Sequence, residues 1–419
     1  MVNIAILGYG VVGSGVAEVI RENATSISQR AGKDVRVKKI LDIRDFPQSP
    51  DRHLITKNAD EIFNDEEIKI VAETIGGATI AYEFTKRALN SKKHVVTSNK
   101  ELVAKHGPEL LKLARQNGVS YLFEASVGGG IPIIRPLNQC LSANVIDSIM
   151  GILNGTTNYI LTQMKKNGTS FDEALKNAQK NGYAEADPTA DIEGHDACRK
   201  IAILSSIAYN QFVDYRNIYT EGITKITVED MEYAEAMDMV IKLVAMSKRR
   251  GHKIEARVSP LMLPKNHPLA NVDDVFNAIL VSGNAIGDAM FYGRGAGKLP
   301  TASAVVADII DIVRHLDKPL CYEWKVVGSN NVLEASKNAA SFFARIRCDE
   351  SAVVNAKNII FSLFGQVEFI KLNKIGLENE IAFKTTKQEE GIIFDKFEQL
   401  KKLTEIVVVN CVRVYDDAM

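Results

Sequence analysis

The side chains best suited to chemistry lie in an acidic stretch, residues 182–200. Its carboxylates include Glu185, Asp191 and Asp196, and Lys200 follows Asp196 by four residues. Residues four apart share one face of a helix, so we expect Asp196 and Lys200 to lie together near a helix start. A solvated ion pair at a capped helix end is the alternative, but the residues that follow are apolar and place this start near the interior. So acidic a loop favours binding of a cationic group, such as a substrate ammonium.

A glycine-rich turn directly after the first apolar segment indicates a dinucleotide site. Gly8, Gly10 and Gly13 enclose Tyr9 and the pair Val11 and Val12. The first glycine permits a tight turn, the second lets the backbone approach a pyrophosphate, and the third allows close packing of helix on strand. The helix N-terminus then faces the phosphates with its unpaired N–H groups. Strand, turn and following α/β alternation agree, so the pattern predicts NAD or NADP as cofactor.

The residues after the second strand leave the choice between these cofactors open. Asp42 would hold a ribose 2′-hydroxyl, whereas Arg44 would suit a 2′-phosphate. Thr74, Gly76 and Lys100 follow other strands of the same predicted sheet, and ligands bind at the carboxyl ends of such strands. For Lys100 a plain surface role is the alternative to a role in the site.

The order of the predicted elements divides the chain into three parts. Residues 1–130 alternate strands and helices, which predicts a Rossmann-type parallel sheet that binds the dinucleotide. Residues 131–322 read as an α+β domain for substrate binding and dimerisation, with 302–322 a candidate for packing back on the first domain. Residues 340–416 follow the order βαββαβ of a small ferredoxin-like domain, after a polar linker at 328–338. The boundaries predicted in the first part are strands at Val2–Leu7, Val35–Leu41, Ile68–Thr74, His94–Thr97 and Val119–Glu124, and a helix at Pro108–Asn117.

Composition excludes several classes of function. The 419 residues include 51 basic and 52 acidic side chains, a balance that gives no reason to expect nucleic acid or an anionic membrane as partner. The five cysteines are well separated, which argues against a disulfide framework or a structural zinc site. No apolar run approaches membrane length and the first residues do not read as a targeting segment, so we expect a cytoplasmic enzyme.

Several motifs, taken together, resemble those of the homoserine dehydrogenases. They occur in the order that is typical of that family, and the resemblance covers residues 1 to about 320. The motifs are Glu124 to Pro132, Gly151 to Tyr159, Gly182 to Pro188, Asp191, Gly194 with Asp196 and Lys200, and Gly293 to Ala302. The resemblance implies NAD(P)-dependent interconversion of L-homoserine and L-aspartate 4-semialdehyde, in threonine, methionine and isoleucine biosynthesis. Another NAD(P)-dependent semialdehyde reductase of amino-acid metabolism is the alternative.

The same resemblance implies roles for individual side chains. Glu185, Asp191 and Asp196 would bind the substrate. Glu185 would contact the ammonium group of the substrate. Lys200 would donate or accept the proton at the reacting oxygen, Lys100 would be a second lysine of the active site, and Asp196 would belong to the catalytic set with them. An ordinary lysine has a pKa of about 10.4, so a charged Lys200 is better suited to protonating an aldehyde oxygen than to removing a proton. Reduction is therefore expected to be the easier direction near pH 7.

A cation site is also implied by the resemblance. The Glu124 carboxylate and the main-chain oxygens of Val127, Gly129 and Ile131 would hold a sodium-type monovalent ion, and oxygen ligands suit such a hard cation. A glycine-rich turn that only permits close packing is the alternative.

The C-terminal part resembles an ACT domain, the amino-acid-sensing module that some members of this family carry. A Pro-Gly pair usually lies between its first strand and first helix, whereas residues 349–353 here contain neither residue. An amino-acid effector and a role in pairing subunits, in a homodimer or homotetramer, therefore stay open as alternatives.

Overall fold

The computed structural model describes residues 1–328, 330–372 and 379–416. The strands in these residues are β1 (Val2–Leu7), β2 (Val35–Leu41), β3 (Ile55–Thr56), β4 (Ile68–Glu73), β5 (His94–Thr97), β6 (Tyr121–Leu122), β7 (Ile146–Ile152), β8 (Tyr219–Thr220), β9 (Met239–Arg250), β10 (Lys253–Pro264), β11 (Phe276–Gly283), β12 (Gly287–Arg294), β13 (Ala339–Cys348), β14 (Val367–Ile370), β15 (Glu380–Thr385), β16 (Gln388–Glu389) and β17 (Ile406–Val414). The α-helices are α1 (Val11–Glu22), α2 (Ala24–Ala31), α3 (Asp60–Phe63), α4 (Thr79–Asn90), α5 (Lys100–Asn117), α6 (Gly155–Asn167), α7 (Phe171–Lys180), α8 (Thr189–Ile192), α9 (His195–Ala208), α10 (Val228–Ala236), α11 (Lys298–Arg314), α12 (Val353–Phe364) and α13 (Glu390–Lys401). None of the described helices is both long and apolar enough to pass through a bilayer.

Two compact units make up the chain. Unit 1 comprises residues 1–146, 199–215 and 282–329, and unit 2 comprises the segments 147–198, 216–281 and 330–419.

Unit 1 contains a six-stranded parallel sheet in the order β3-β2-β1-β4-β5-β6. This is the strand order of doubly wound dinucleotide-binding folds, in which the ligand crosses the carboxyl edge where the order reverses, here between β1 and β4. The central strand β1 is buried along nearly all its length, as expected for a parallel sheet covered on both faces. The predicted Rossmann-type fold is confirmed.

Helix α11 completes the core of unit 1. Its apolar residues, among them Ala302, Val305 and Ile309, are buried in one cluster with Ile4 and Val16 of the first βα unit. The residues around 302–314 thus pack with the parallel sheet, although they follow it by almost two hundred positions.

Helix α5 departs from the prediction. A start at Pro108 is wrong, because the helix begins at Lys100 and contains that proline. The Asn99 side chain caps this earlier start by accepting a hydrogen bond from the N–H of Leu102. Proline is tolerated inside because tertiary contacts hold the turn before it: a Cβ on Gly107 would lie 2.3 Å from the Trp324 ring.

Unit 2 contains a mixed sheet whose strands run in the order β11-β7-β9-β10-β17-β13-β15-β14. Its longest ladder joins β9 and β10, which pair antiparallel over twelve residues from Met239 with Pro264 to Arg250 with Lys253. Strand β9 was missed from the sequence because it is buried from Val240 to Ser247, so its residues show no alternation of apolar and polar side chains.

The C-terminal residues form the predicted βαββαβ unit. Strands β17, β13, β15 and β14 are neighbours in that order and pair antiparallel, which is the 4-1-3-2 arrangement of a ferredoxin-like fold. β17 also pairs in parallel with β10, through Leu261 with Arg413 and Met262 with Val414. The C-terminal strands therefore belong to the same hydrogen-bonded sheet as β9 and β10.

The expected linker is not a free connection over the residues that the structure describes. Ile254 on β10 accepts a hydrogen bond from the N–H of Leu333 and donates one to the carbonyl of Asn331. Val332 between them is buried, with 2% exposure. Composition alone suggested a linker because most residues of this segment are polar. Composition does not report the burial of one valine or the backbone hydrogen bonds to β10.

Candidate active site

The glycine turn lies between β1 and α1, as predicted. Gly8 has φ +90°, a conformation that favours glycine, and its carbonyl accepts a hydrogen bond of 2.7 Å from the Thr74 hydroxyl. Gly13 lies so close to this carbonyl that a Cβ there would be 1.9 Å from the Gly8 oxygen. At Gly10, by contrast, an added Cβ would meet only the Arg44 guanidinium, at 3.9 Å. The turn is therefore tightly packed at Gly13 and open at Gly10. Next to Gly10, Val11 is exposed and Val12 is half-buried.

Three predicted segments meet at the carboxyl edge of the parallel sheet. The Thr74 hydroxyl binds the first turn, and the Asn99 amide donates to the carbonyls of Ile75 and Gly77 at 3.0 and 2.6 Å. Gly76 is exposed between those two carbonyls. Because Asn99 also caps α5, the helix start that carries Lys100 is fixed to the loop beside the glycine turn.

Asp42 and Arg44 form one ion pair at the end of β2. The Asp42 carboxylate accepts hydrogen bonds from Nε and Nη2 of Arg44, at 3.0 and 2.9 Å, and from the N–H of Tyr9 at 2.7 Å. These bonds, above all those from the guanidinium, lower the pKa of Asp42 to about 2. Asp42 is buried, whereas the Arg44 side chain is 59% exposed and stacks on Phe46.

Within unit 1 an ion pair joins the first turn of α5 to the 199–215 segment. Arg199 Nη2 is 3.6 Å from Glu101 Oε1. Lys200 is buried with 8% exposure, and Lys100 is half-buried. The structure thus places Lys100 in the first turn of α5 and Lys200 in α9.

The acidic stretch is organised by one amide in unit 2. Asn154 Nδ2 donates to Asp191 Oδ1 at 2.7 Å and to Asp196 Oδ2 at 2.9 Å. Asp196 is 3% exposed, and it lies in the first turn of α9, one helical turn before Lys200. Glu185 lies in the same stretch but is exposed. Asp191 and Asp196 are thus held on one nitrogen, and Glu185 is not part of that cluster.

Glu124 is buried and bound by the backbone. Its Oε1 accepts hydrogen bonds from the N–H groups of Ile133 and Ile134, and its Oε2 accepts one from Arg135. A carboxylate has about four lone-pair sites, and these three hydrogen bonds use three of them. The loop that follows is tight, since Gly129 has φ +56° and a Cβ there would lie 2.3 Å from the Gly295 carbonyl.

Two residues of this region were missed from the sequence. Asn154 showed no special spacing, because its partners follow it by 37 and 42 positions. Glu73 ends β4 fully buried and accepts hydrogen bonds from the Thr97 hydroxyl and the N–H of Ile75. Desolvation raises its pKa to about 7. An acidic residue at the last position of a mostly apolar strand was the available signal for Glu73.

Two family models match the chain. The model described as homoserine dehydrogenase matches residues 132–310, and the model of the homoserine dehydrogenase NAD binding domain matches residues 8–124. Together they cover the glycine turn, the acidic stretch and both lysines.

Curated relatives and solved structures agree with these models. The homoserine dehydrogenase of Neisseria gonorrhoeae is 42% identical over 358 residues, 83% of this chain and 82% of the relative. That of Helicobacter pylori is 38% identical and covers 97% of this chain and 96% of its own length. The crystal structure of a homoserine dehydrogenase from Thiobacillus denitrificans has a TM-score of 0.89 at 37% identity, over 99% of this chain and 98% of that one. A hyperthermophilic archaeal homoserine dehydrogenase in complex with NADPH has a TM-score of 0.64 at 30% identity, over 76% of this chain and 99% of that one.

Proposed function

The chain belongs to the homoserine dehydrogenase family, and we propose that it reduces L-aspartate 4-semialdehyde to L-homoserine, and catalyses the reverse, with a nicotinamide cofactor. It is an NAD(P)-dependent oxidoreductase that acts on a CH–OH group. The observation that carries the assignment of residues is the cluster of Asp191 and Asp196 on Asn154, with the buried Lys200 one turn further along α9. The reaction belongs to threonine, methionine and isoleucine biosynthesis.

Charge complementarity supports the placement of the amino-acid substrate. Asp191 and Asp196 present two carboxylates held by one amide, and both substrate and product carry an ammonium group. Glu185 is exposed and provides a third carboxylate on the same stretch. Its negative charge adds to the electrostatic attraction between this stretch and the ammonium group of the substrate. The carboxylates therefore bind and orient the amino acid without taking part in bond making.

Lys200 is the proposed proton donor. The cofactor, when bound, supplies the hydride for reduction. A protonated amine at the aldehyde oxygen stabilises the negative charge that develops there and transfers its proton to form the hydroxyl. Burial of Lys200 strengthens this effect because little water competes for the oxygen. Lys100, at the start of α5 beside the glycine turn, supplies a second positive charge.

The dinucleotide is proposed to bind across the glycine turn, with its pyrophosphate at Gly10 and the first turn of α1. Either NADP or NAD fits the turn itself. Arg44 binds Asp42 through Nε and Nη2 and keeps most of its side chain exposed, so its guanidinium can still donate hydrogen bonds to a 2′-phosphate. We therefore propose that NADPH is the preferred cofactor, a choice in line with the NADPH complex of the archaeal neighbour.

A sodium-type cation is proposed at Glu124 with the main-chain oxygens of Val127, Gly129 and Ile131. The remaining lone pair on Glu124 Oε2 and the tight glycine loop fit such an ion. It would hold the loop closed at the edge of unit 1.

The C-terminal ferredoxin-like unit is proposed to be an ACT-like domain that pairs subunits in a homodimer or homotetramer. Val354 and Phe361 on α12 are 73% and 62% exposed, and Ile392 on α13 is 48% exposed. Large exposed apolar side chains favour a protein interface over a water-facing surface. Phe361→Glu should lower the mass of the assembly in sedimentation experiments, while Asn355→Glu, at an exposed polar site on the same helix, should not.

The assignment of Lys200 is tested by Lys200→Met. Loss of the proton donor should lower kcat by about a hundredfold or more, because general acids typically contribute that much. NADPH binding, followed by fluorescence titration, should stay within twofold of wild type. The exposed Lys112→Met on α5 serves as the matched control. Turnover of the Lys200 variant near the wild-type rate would contradict the assignment.

A further inference from the structure

The first turn of α6 holds the acidic stretch at several points. Thr156 donates its hydroxyl to the carbonyl of Tyr183 at 2.7 Å, and the rings of Tyr159 and Tyr183 pack edge to face. The cap residue of the same helix, Asn154, binds the two aspartates further along the stretch. One end of one helix thus contacts both the beginning and the end of the proposed substrate-binding segment.

The orientation of the Asn154 amide is determined by its surroundings. Its Oδ1 accepts hydrogen bonds from the N–H and the hydroxyl of Thr157, at 2.9 and 3.2 Å, as the N-cap of α6. The carbonyl side of the amide is therefore used by the helix, and both N–H bonds point the other way. Those two bonds diverge from one nitrogen, and each ends on a different carboxylate.

Helix α6 is itself anchored to the sheet of unit 2. One turn after the cap, Asn158 Nδ2 donates to the carbonyls of Val272, Asp274 and Phe276, at 3.0 to 3.1 Å. The buried Lys242 on β9 donates to Asn158 Oδ1, to the Val272 carbonyl and to the Asp273 carboxylate. Helix α6, which carries Asn154, is therefore held by hydrogen bonds to parts of unit 2 outside the acidic stretch.

Two carboxylates on one nitrogen repel each other unless a donor lies between them. The amide gives each carboxylate one hydrogen bond and fixes the orientation of both. Ionised carboxylates in a fixed orientation are what an ammonium group needs for tight binding.

We propose that Asn154 is a positioning residue for the reaction: its amide holds Asp191 and Asp196 side by side so that they receive the ammonium group of the amino-acid substrate. This inference rests on the proposed function, and it makes the affinity for the amino acid, but not for the dinucleotide, depend on the cap of α6.

The direct test is Asn154→Asp. Aspartate is close in shape and an equally good N-cap, so α6 keeps its start, but both hydrogen-bond donors are replaced by acceptors. KM for L-homoserine should rise about 30-fold or more, since two hydrogen bonds to charged groups are lost. kcat should change much less, and NADPH binding should stay within twofold of wild type. Asn154→Ser, which also caps helices, gives a second variant should the aspartate fold poorly.

A reciprocal exchange separates positioning from a merely structural role. In Asn154→Asp/Asp191→Asn the donor and one acceptor change places, so the number of charges is restored and the amide at position 191 can donate to the carboxylate at position 154. The double variant should have a KM at least about fivefold lower than the product of the two single effects predicts. Ser170→Ala, which removes the cap of the neighbouring helix α7, should lower Tm without changing KM.

The outcomes distinguish the two proposals. If wild type does not turn over L-homoserine, the proposed function fails and this inference fails with it. If wild type is active and Asn154→Asp has a KM within twofold of wild type, or if the single effects simply multiply, the role of Asn154 alone is overturned.

Discussion

Buried carboxylates have different partners in the two sheets of this molecule. In unit 1, Glu73 at the end of β4 is fully buried against a hydroxyl and a backbone N–H, and its pKa is raised to about 7. In unit 2, Asp230 and Glu380 are equally buried but bind Arg345 at 2.7 and 2.8 Å. A second arginine, Arg413, binds Glu390 and Glu221 in the same way.

In these two places burial is alike and the partner differs. Desolvation acts on both sets, but a guanidinium supplies charge-assisted hydrogen bonds that a hydroxyl and a backbone N–H do not. Unit 1 therefore contains a carboxyl group that titrates near neutral pH, whereas unit 2 contains ion pairs on which the joint between β10, β13 and β17 depends. The two regions should respond to substitution and to pH in different ways.

Arg345→Met should have the largest effect. It leaves Asp230 and Glu380 buried without their cation, and breaking a buried pair in this way typically costs about 3–5 kcal/mol of unfolding free energy. Urea unfolding at pH 7.5 measures the loss. Arg347→Met, on the same strand but 61% exposed, is the matched control and should change stability by less than about 1 kcal/mol. Equal effects at the two positions would contradict the comparison.

Glu73→Gln should change how stability depends on pH. The wild-type carboxyl keeps its proton in the folded state up to about pH 7 but loses it above about pH 4.3 when unfolded. The unfolding free energy of wild type therefore falls as pH rises through this window, by about 3 kcal/mol for this one group. The glutamine cannot ionise, so the variant should gain on wild type by about that amount between pH 4.5 and pH 8.

Urea unfolding of both proteins at these two pH values tests this expectation. The exposed Glu22→Gln on α1 is measured in parallel, because it removes a carboxyl without removing a buried one. A difference between Glu73→Gln and wild type that is the same at both pH values would show that Glu73 keeps one charge state throughout.

The fold was predictable where local signals agree with tertiary structure. β1, β2 and β5 have the predicted boundaries, because each is a short run rich in β-branched or other apolar residues between polar turns. The start of the helix through Pro108 was not predictable. It depends on the Asn99 cap, and the proline is tolerated only through packing around Gly107. The pairing of β17 with β10 was also beyond sequence reasoning, since nothing local reports a contact between residues 150 positions apart.

The candidate site divides along the same line. The glycine turn could be predicted because its function requires glycine at fixed positions, which spacing alone reveals. That Asp196 and Lys200 lie one turn apart on a helix was predictable from their spacing. The contacts of Asn154 and Glu73 were not predictable, because their partners are distant in the sequence.

Substitutions in the glycine turn separate steric packing from ligand contact. Gly13→Ala places a Cβ 1.9 Å from the Gly8 oxygen, so it should lower the unfolding free energy of the ligand-free protein by about 1–3 kcal/mol. Gly10→Ala meets only a flexible guanidinium and should change stability by about 0.5 kcal/mol or less, yet weaken NADPH binding because its methyl occupies the approach of the pyrophosphate. Urea unfolding and NADPH titration measure the two effects. Normal NADPH affinity in Gly10→Ala would place the dinucleotide elsewhere.

The smallest effect is expected at Arg44, since a half-exposed charge is screened by solvent. Arg44→Ala removes the cation available to a 2′-phosphate and releases Asp42, whose carboxylate repels that phosphate but accepts a hydrogen bond from a ribose hydroxyl. KM for NADPH should rise about five- to tenfold while KM for NADH stays constant or falls, and the change should shrink as salt is added. Arg52→Ala, at an exposed position between β2 and β3, is the control. Equal changes for both cofactors would show that Arg44 supports the turn and does not select the phosphate.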